Sequence, residues 1–195
     1  MEKELTSQLK TRLTPEEYLQ LERAAETRSE YLNGEMIAMP GASREHNLIV
    51  TNLLVTLGTE LFDRPYEIYP PEMRVKVSPT GLYTYPDVVV VSADPRFEDQ
   101  YVDTLLNPIL LIEVLSQSTE NYDRGRKFSH YRRVESLQEY VLVAQTECRV
   151  EQYVRQSDGK WVYSETTDPN GNVELTSIAC RLPLNRVYHR VQFQA

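Results

Sequence analysis

Apolar residues follow helical spacing in one stretch of the chain and strand spacing in another. From His46 onward they recur every three or four positions, as one buried helical face requires. These residues are Ile49, Val50, Leu53, Leu54, Leu57 and Leu61. Farther along, Met73, Val75 and Val77 alternate with charged residues such as Arg74, which is typical of a strand with one face in solvent. The pattern predicts a core helix followed by a half-exposed strand.

Three nearly continuous apolar runs predict strands that are buried on both faces. They span residues 86–91, 109–115 and 139–143. Between the second and third runs, residues 116–119 offer several N-cap candidates, and a polar helix is predicted to follow as far as about Arg133. The predicted order of the central elements is therefore helix, strand, strand, strand, helix and strand.

The N-terminal region carries two local signals. Thr14 suits an N-cap, Pro15 the first helical position and Glu17 the third position of a capping box, so a short helix is predicted as far as about residue 27. Asn33-Gly34 lies between two short extended segments and predicts a hairpin turn. This region is predicted to be a helix-hairpin appended to the core.

The C-terminal region carries turn signals at residues 158–159 and 168–171, which predict a late β-hairpin or meander. We find no internal repeat and no linker that would divide the chain. The chain is therefore predicted to form a single domain over residues 1–195. Its core would span about residues 45–145, with an N-terminal embellishment at 1–44 and a C-terminal extension at 146–195.

Composition limits the classes of function. With 195 residues and 41% hydrophobic residues, the chain can bury one core. No apolar run approaches the ~18 residues that span a bilayer, and the N-terminus lacks a signal-peptide pattern, so we expect a cytoplasmic protein with no membrane partner.

Cys148 and Cys180 lack metal-type spacing, and without a glycine-rich phosphate loop we expect no organic cofactor. The net charge of -8 requires any nucleic-acid surface to be local.

Two acidic residues within the apolar runs are candidates for chemistry. Glu113 lies inside one run and Asp87 at the start of another, and a buried carboxylate must be neutralised, paired or bound to a metal. If the strands are neighbours, both can bind one Mg²⁺ or Mn²⁺ and leave positions for water and phosphate. The alternatives are an Asp87 bonded to backbone N–H groups and a Glu113 in a buried salt bridge with Lys127 or an arginine.

The predicted helix after Glu113 supplies a cation. Asp123, Lys127 and Tyr131 are four residues apart and line one stripe, beside Phe128 on the side that faces the sheet. Lys127 can then reach the end of the strand to hold a water or a phosphate, and burial could release the amine from its usual protonated state.

Arginines close to Lys127 are candidate phosphate contacts. We single out Arg124 and Arg126 as candidate DNA contacts; Arg132 and Arg133 belong to the same basic stretch. The alternative is a solvated helical face on which the arginines pair with acidic neighbours.

Taken together, these residues resemble the Uma-type restriction endonuclease family, a branch of the PD-(D/E)xK nuclease superfamily. The resemblance extends from about residue 14 to residue 143. The residues and motifs that carry it are Gly34-Glu35, His46, Pro86-Asp87, Glu113-Val114-Leu115-Ser116, Ser118-Thr119, Asp123, Lys127, Tyr131 and Glu139-Tyr140.

The resemblance implies an α/β, restriction-endonuclease-like core with a central mixed β-sheet flanked by helices. It implies Asp87 and Glu113 as ligands of Mg²⁺ or Mn²⁺, DNA as the substrate and a homodimer. The superfamily usually has a lysine two residues after the glutamate, where this chain has Leu115. Lys127 on the following helix would then be its replacement.

Glu35, Asp123 and Tyr131 are possible accessory residues, whereas His46 is left out of the catalytic set because a lone histidine on an apolar helical face is usually a core residue. The second hypothesis is a protein that keeps the nuclease fold only to bind DNA or a partner protein. A hydrolase of nucleotides or RNA is a third, weaker one.

Overall fold

The computed structural model describes residues 12–116 and 119–193. Its longest helix, α2, spans Arg44–Leu61, and helix α1 spans Pro15–Ala24. A second helical segment, residues 120–131, consists of α3 (Glu120–Tyr122), a π-helical turn (Asp123–Lys127) and α4 (Phe128–Tyr131). A short helix, α5, spans Leu184–Val187 near the C-terminus.

The strands form two larger sheets and one hairpin. Their bounds are β1 (Ser29–Leu32), β2 (Glu35–Ala38), β3 (Tyr66–Tyr69), β4 (Arg74–Val77), β5 (Leu82–Thr84), β6 (Val88–Ser92), β7 (Thr104–Leu105), β8 (Leu110–Leu115), β9 (Glu139–Ala144), β10 (Val150–Arg155), β11 (Trp161–Thr166), β12 (Asn172–Leu175) and β13 (Cys180–Pro183). The six-stranded sheet has the order β11-β10-β9-β8-β6-β3, and the five-stranded sheet has the order β2-β1-β5-β4-β7. Strands β12 and β13 pair with each other.

The six-stranded sheet is mixed, because β8 pairs with β9 in parallel and with β6 in antiparallel orientation. One face packs against α2 and the β12–β13 hairpin through aliphatic side chains such as Leu53 and Val114. The other face packs against the second helical segment and the five-stranded sheet, where Leu111, Tyr131 and Val75 meet. The fold is therefore α/β, with a central mixed sheet between helices.

The capping box and the Asn-Gly turn predicted in the N-terminal region both form. The Thr14 side chain accepts a hydrogen bond from the Glu17 backbone while the Glu17 side chain accepts one from the Thr14 backbone, but the helix ends at Ala24, a turn earlier than predicted. Asn33 and Gly34 form the turn of the β1–β2 hairpin with φ values of 52° and 89°. That left-handed backbone is the conformation for which Asn-Gly is suited.

The prediction that the charged residues of the strand around Val75 face solvent was wrong for Arg74. Strand β4 forms, but Arg74 is only 3% exposed, since it donates hydrogen bonds to Thr104 and Tyr85 from the surrounding elements. Strands β3, β5 and β7 were not predicted, because they are short and lack a continuous apolar run. The π-helical turn was not predicted either. Ser118, one of the residues that carry the family resemblance, lies outside the described residues. Within the described part of the chain, no helix is long and apolar enough to cross a membrane.

Candidate active site

The pairing of β6 with β8 brings the two predicted acids together. Val88 lies opposite Ile112, so Asp87, one residue before β6, meets the end of β8 next to Glu113. The Oδ2 atom of Asp87 accepts a hydrogen bond from the backbone N of Val114 at 2.7 Å. The two acids lie close together because β6 begins at the end of the sheet where its antiparallel neighbour β8 ends.

Glu113 is 4% exposed, although it carries a carboxylate. Its Oε1 accepts a hydrogen bond from the Tyr131 hydroxyl at 2.7 Å and lies 3.1 Å from Nζ of Lys127. Burial raises the pKa of Glu113 well above its usual value, and the nearby charges of Asp123 and Asp87 add to the rise against the attraction of Lys127. The ionised form of Glu113 is thus held at an electrostatic cost.

Lys127 is the cation of this site, and three carboxylates approach it. Its Nζ lies 3.1 Å from Oε1 of Glu113, 3.1 Å from Oε1 of Glu30 and 3.6 Å from Oδ1 of Asp123. Burial by itself lowers the pKa of Lys127, but attraction to these acids outweighs burial, and the net pKa is well above normal. The attraction of the acids therefore acts against the expected release of the amine from protonation and favours the protonated form of Lys127.

The sequence-based account missed Glu30 on β1. This residue is 6% exposed; the Thr84 hydroxyl donates a hydrogen bond to its Oε1, and the Tyr122 hydroxyl donates one to its Oε2 at 3.3 Å. Glu30 is two residues from Leu32, which packs against the same side of the core. That spacing was the available signal, because alternate residues of a strand share a face.

Each carboxylate of the predicted pair keeps one oxygen without a hydrogen bond from the described residues. The bonds to Asp87 converge on Oδ2 and those to Glu113 on Oε1, so Oδ1 and Oε2 are available to a ligand. The backbone bond to Asp87 and the salt bridge of Glu113 were the predicted alternatives to a metal, and each accounts for one oxygen only.

The charges around these two oxygens suit a divalent cation. The carboxylates of Glu30, Asp87, Glu113 and Asp123 act on one another, and the ammonium group of Lys127 lies among them. Residues 12–116 and 119–193 contain no group of three or more His, Cys, Asp or Glu side chains arranged as metal ligands. Mg²⁺ needs only one or two protein carboxylates when water and phosphate complete its shell, so the donor set fits such an ion.

The predicted accessory residues separate into two groups. Asp123 and Tyr131 lie in the cluster, 3% and 0% exposed, because the helical segment turns this stripe toward β8. Burial raises the pKa of Asp123, as do the charges of Glu30 and Asp87. Glu35 instead lies exposed on the edge strand β2 and is not brought to the site. The hairpin does contribute an acid, but from its other strand.

The two candidate DNA contacts also differ. Arg124 forms salt bridges with Glu151 at 2.8 Å and with Glu120 at 2.7 Å, so its guanidinium already fastens the helical segment to β10. Arg126 is exposed, and no salt bridge joins it to another described residue. Of the two, Arg126 is the one that can reach a phosphate without breaking an ion pair.

His46, which was left out of the catalytic set, lies beside it. Ser43 caps α2 by accepting a hydrogen bond from the backbone N of His46. The Nε2 atom of His46 is 3.2 Å from Oδ2 of Asp87, and the two side chains are 15% and 13% exposed. The helix start thus positions an imidazole against the first acid, which apolar periodicity alone did not indicate.

Comparison with known proteins identifies the family. The model of the Uma2 family, described as "Putative restriction endonuclease", matches residues 15–185. The chain belongs to this family. Two relatives of the Uma2 chain come from Synechocystis sp. The uncharacterized protein sll1609 is 40% identical, over 84% of this chain and 93% of its own length. The uncharacterized protein slr1290 is 35% identical, over 93% of this chain and 94% of its own length.

A solved structure shows the fold of the Uma2 chain independently. It is described as a "putative nuclease belonging to DUF820" from Anabaena variabilis, and it superposes with a TM-score of 0.74 at 21% identity, covering 92% of this chain and 99% of its own. The predicted restriction-endonuclease-like fold is confirmed by this match.

Proposed function

We propose that this Uma2 protein is a metal-dependent DNA endonuclease in which Asp87 and Glu113 hold Mg²⁺ or Mn²⁺. The observation that carries the proposal is the convergence of these two carboxylates at one end of β6 and β8, beside a buried, positively charged lysine. A family described as "Putative restriction endonuclease" and a fold shared with a protein described as a "putative nuclease" support the same activity.

The side chains around the pair would position the reactants. His46 and the backbone N of Val114 orient Asp87, while Tyr131 and Lys127 orient Glu113. The ion, when bound, supplies Lewis-acid polarisation of the phosphoryl group and charge stabilisation during in-line displacement. Lys127 stays protonated and adds a fixed positive charge next to the developing negative charge.

Lys127 would also take the place of the lysine that the superfamily usually carries on the strand. Leu115, at that position, is 3% exposed within the apolar core. The ammonium comes instead from the π-helical turn at residues 123–127, which brings it to within 3.1 Å of Oε1 of Glu113. On this proposal, a positive charge at the carboxylate would come from a different place in the sequence.

The activity is tested by incubating supercoiled and linear DNA with the protein and Mg²⁺ or Mn²⁺. We expect metal-dependent cleavage, reduced at least about a thousandfold in Asp87→Asn and Glu113→Gln, since loss of the ion removes several kcal/mol of transition-state stabilisation. Glu139→Gln, which changes an equally buried glutamate of β9, is the matched control and should still cleave.

Two outcomes would count against this proposal. Cleavage that survives in both carboxylate variants would show that another site does the chemistry. A folded wild type that cleaves neither DNA form with either ion would favour the second hypothesis, a nuclease fold used only for binding DNA or a partner protein.

A further inference from the structure

A surface pocket of about 640 Å³ is lined in part by Phe128, which follows Lys127 on the same helical segment. Its aromatic lining consists of Phe128, Tyr153, Trp161 and Tyr163. Trp161 and Tyr163 come from the same face of β11, ~6.8 Å apart along the strand, which is about twice the spacing of stacked bases. Tyr163 is 50% exposed, so the pocket offers aromatic surface to solvent.

Basic side chains complete the lining of this pocket. Arg132, Arg133 and Lys160 contribute to it, and the ion pairs of the described residues include neither of the two guanidinium groups. Among the residues that the structure describes, Lys160 pairs only with the exposed Asp158, at 2.7 Å. In a chain with a net charge of -8, unpaired arginines beside aromatic rings suit an anion that carries a ring system. The guanidinium of Arg155 lies over one face of the Trp161 ring, 4.9 Å from its centroid, so a stacked base would take the opposite face.

The pocket is connected to the candidate active site through packed rings. Tyr131, which bonds to Glu113, lies 5.2 Å from Tyr140 between ring centroids, and Tyr140 stacks on Phe128 at 5.5 Å. Phe128 meets Trp161 edge-on at 5.4 Å. One helical segment therefore presents its charged stripe to the carboxylates and its aromatic side to the pocket.

We propose that this pocket binds a single-stranded segment of the DNA substrate, with a base stacked on Trp161 and Tyr163 and the flanking phosphates on Arg132 and Arg133. The inference rests on the proposed function, because it takes the bound strand to be part of the nuclease's DNA substrate. The helical segment that carries Lys127 would then contact that strand as well as the two carboxylates. Aromatic rings and basic side chains together are the usual means of holding unpaired nucleotides, whereas bases in a duplex do not expose their faces.

Trp161 is the only tryptophan of the chain, so its fluorescence reports on the pocket directly. We expect a short oligothymidine to quench this fluorescence saturably in EDTA, where no cleavage occurs, and a duplex of equal length to do so far more weakly. In the double variant Arg132→Ala/Arg133→Ala, the slope of log K against log salt should fall by about 0.7 for each arginine removed. Arg186→Ala, which removes an exposed arginine on α5, should leave the slope unchanged.

A second measurement separates stacking from charge. With a labelled oligothymidine followed by anisotropy, Trp161→Ala should weaken binding about tenfold, and Trp161→Phe should restore most of the affinity, since a ring still offers a face to the base. Circular dichroism of both variants verifies that the β10–β11 hairpin is intact.

Unchanged tryptophan fluorescence on adding oligothymidine would overturn the proposal, as would equal affinity in the wild type, the arginine double variant and Trp161→Ala. So would quenching by the duplex as strong as that by the single strand. Failure here is distinct from failure of the nuclease proposal, because metal-dependent cleavage that requires Asp87 and Glu113 would persist without the pocket. Conversely, binding in EDTA would persist without cleavage.

Discussion

Two buried glutamates on neighbouring parallel strands, Glu113 of β8 and Glu139 of β9, have surroundings of different kinds. Glu139 is fully buried and accepts hydrogen bonds from the side chain of Gln152 and from both the backbone N, at 3.1 Å, and the hydroxyl of Ser177. Both of its oxygens are engaged by neutral donors, and no salt bridge joins it to another described residue. Such a carboxylate is a fully satisfied structural group.

Glu113 is also buried, but its carboxylate oxygens have different partners. Its hydrogen bonds and ion pair fall on one oxygen, and a cation and two further acids, Asp87 and Asp123, act on it electrostatically. Burial therefore does not separate a structural acid from a functional one. On the proposed function, the distinction lies in the oxygens that accept no hydrogen bond from the described residues and in the excess of acids around one lysine, features that would suit a ligand.

The largest expected effect concerns the cation, which has no counterpart at Glu139. Lys127→Met should lower the free energy of unfolding by about 3–5 kcal/mol, since Glu30, Glu113 and Asp123 would lose their buried counter-charge. Urea unfolding near neutral pH in EDTA measures this loss. Lys160→Met, at an 82% exposed lysine, should change the stability by less than about 0.5 kcal/mol. Equal stability of the two variants would show that the buried acids do not depend on Lys127.

Neutral substitutions of the two glutamates compare how much each carboxylate contributes to the folding free energy. Glu139→Gln should cost about 2–3 kcal/mol of folding free energy, since its donors lose a charged acceptor and the new amide faces the Ser177 N–H. Glu113→Gln should cost less, because burial and the neighbouring carboxylates of Asp123 and Asp87 raise the pKa of Glu113, so a neutral side chain there relieves part of the crowding of acids. Chemical unfolding in EDTA compares them. A larger loss for Glu113→Gln would mean that its ion pair with Lys127 outweighs the crowding of acids.

A smaller effect is expected at the hydroxyl that orients Glu113. Tyr131→Phe removes the 2.7 Å hydrogen bond to Oε1 and should cost about 1 kcal/mol of folding free energy. The matched control is Tyr163→Phe, whose hydroxyl donates to the exposed Glu165 at 3.1 Å. That change should cost only a few tenths of a kcal/mol. If the two losses were equal, burial would add nothing to the strength of the Tyr131 bond.

Sequence patterns predicted the long elements because their periodicity is set by burial. The helix from His46, the strands around Glu113 and Glu139, and the Asn33-Gly34 hairpin all form. Short strands such as β7, which consists of two residues, leave no periodic signal. Arg74 shows the same limit, since it is buried against Thr104 and Tyr85, which lie 30 and 11 positions away in the sequence.

The site was predictable only in part, for the same reason. Asp87 and Glu113 stood out because each interrupts an apolar run, and Lys127 because it lies on a helical stripe. Glu30 reaches Lys127 only through the pairing of β1 with β5, and His46 reaches Asp87 only through the packing of α2 on the sheet. Contacts between distant segments decide such residues, and a linear pattern does not contain them.

The central claim, that Asp87 and Glu113 share a divalent ion, is tested most directly by calorimetric titration with Mn²⁺ in the absence of DNA. The wild type and Glu139→Gln should each bind at this site with similar affinity, and Asp87→Asn and Glu113→Gln should bind at least about tenfold more weakly. Mn²⁺ binding that is the same in all four proteins, or that is lost only in Glu139→Gln, would contradict the claim.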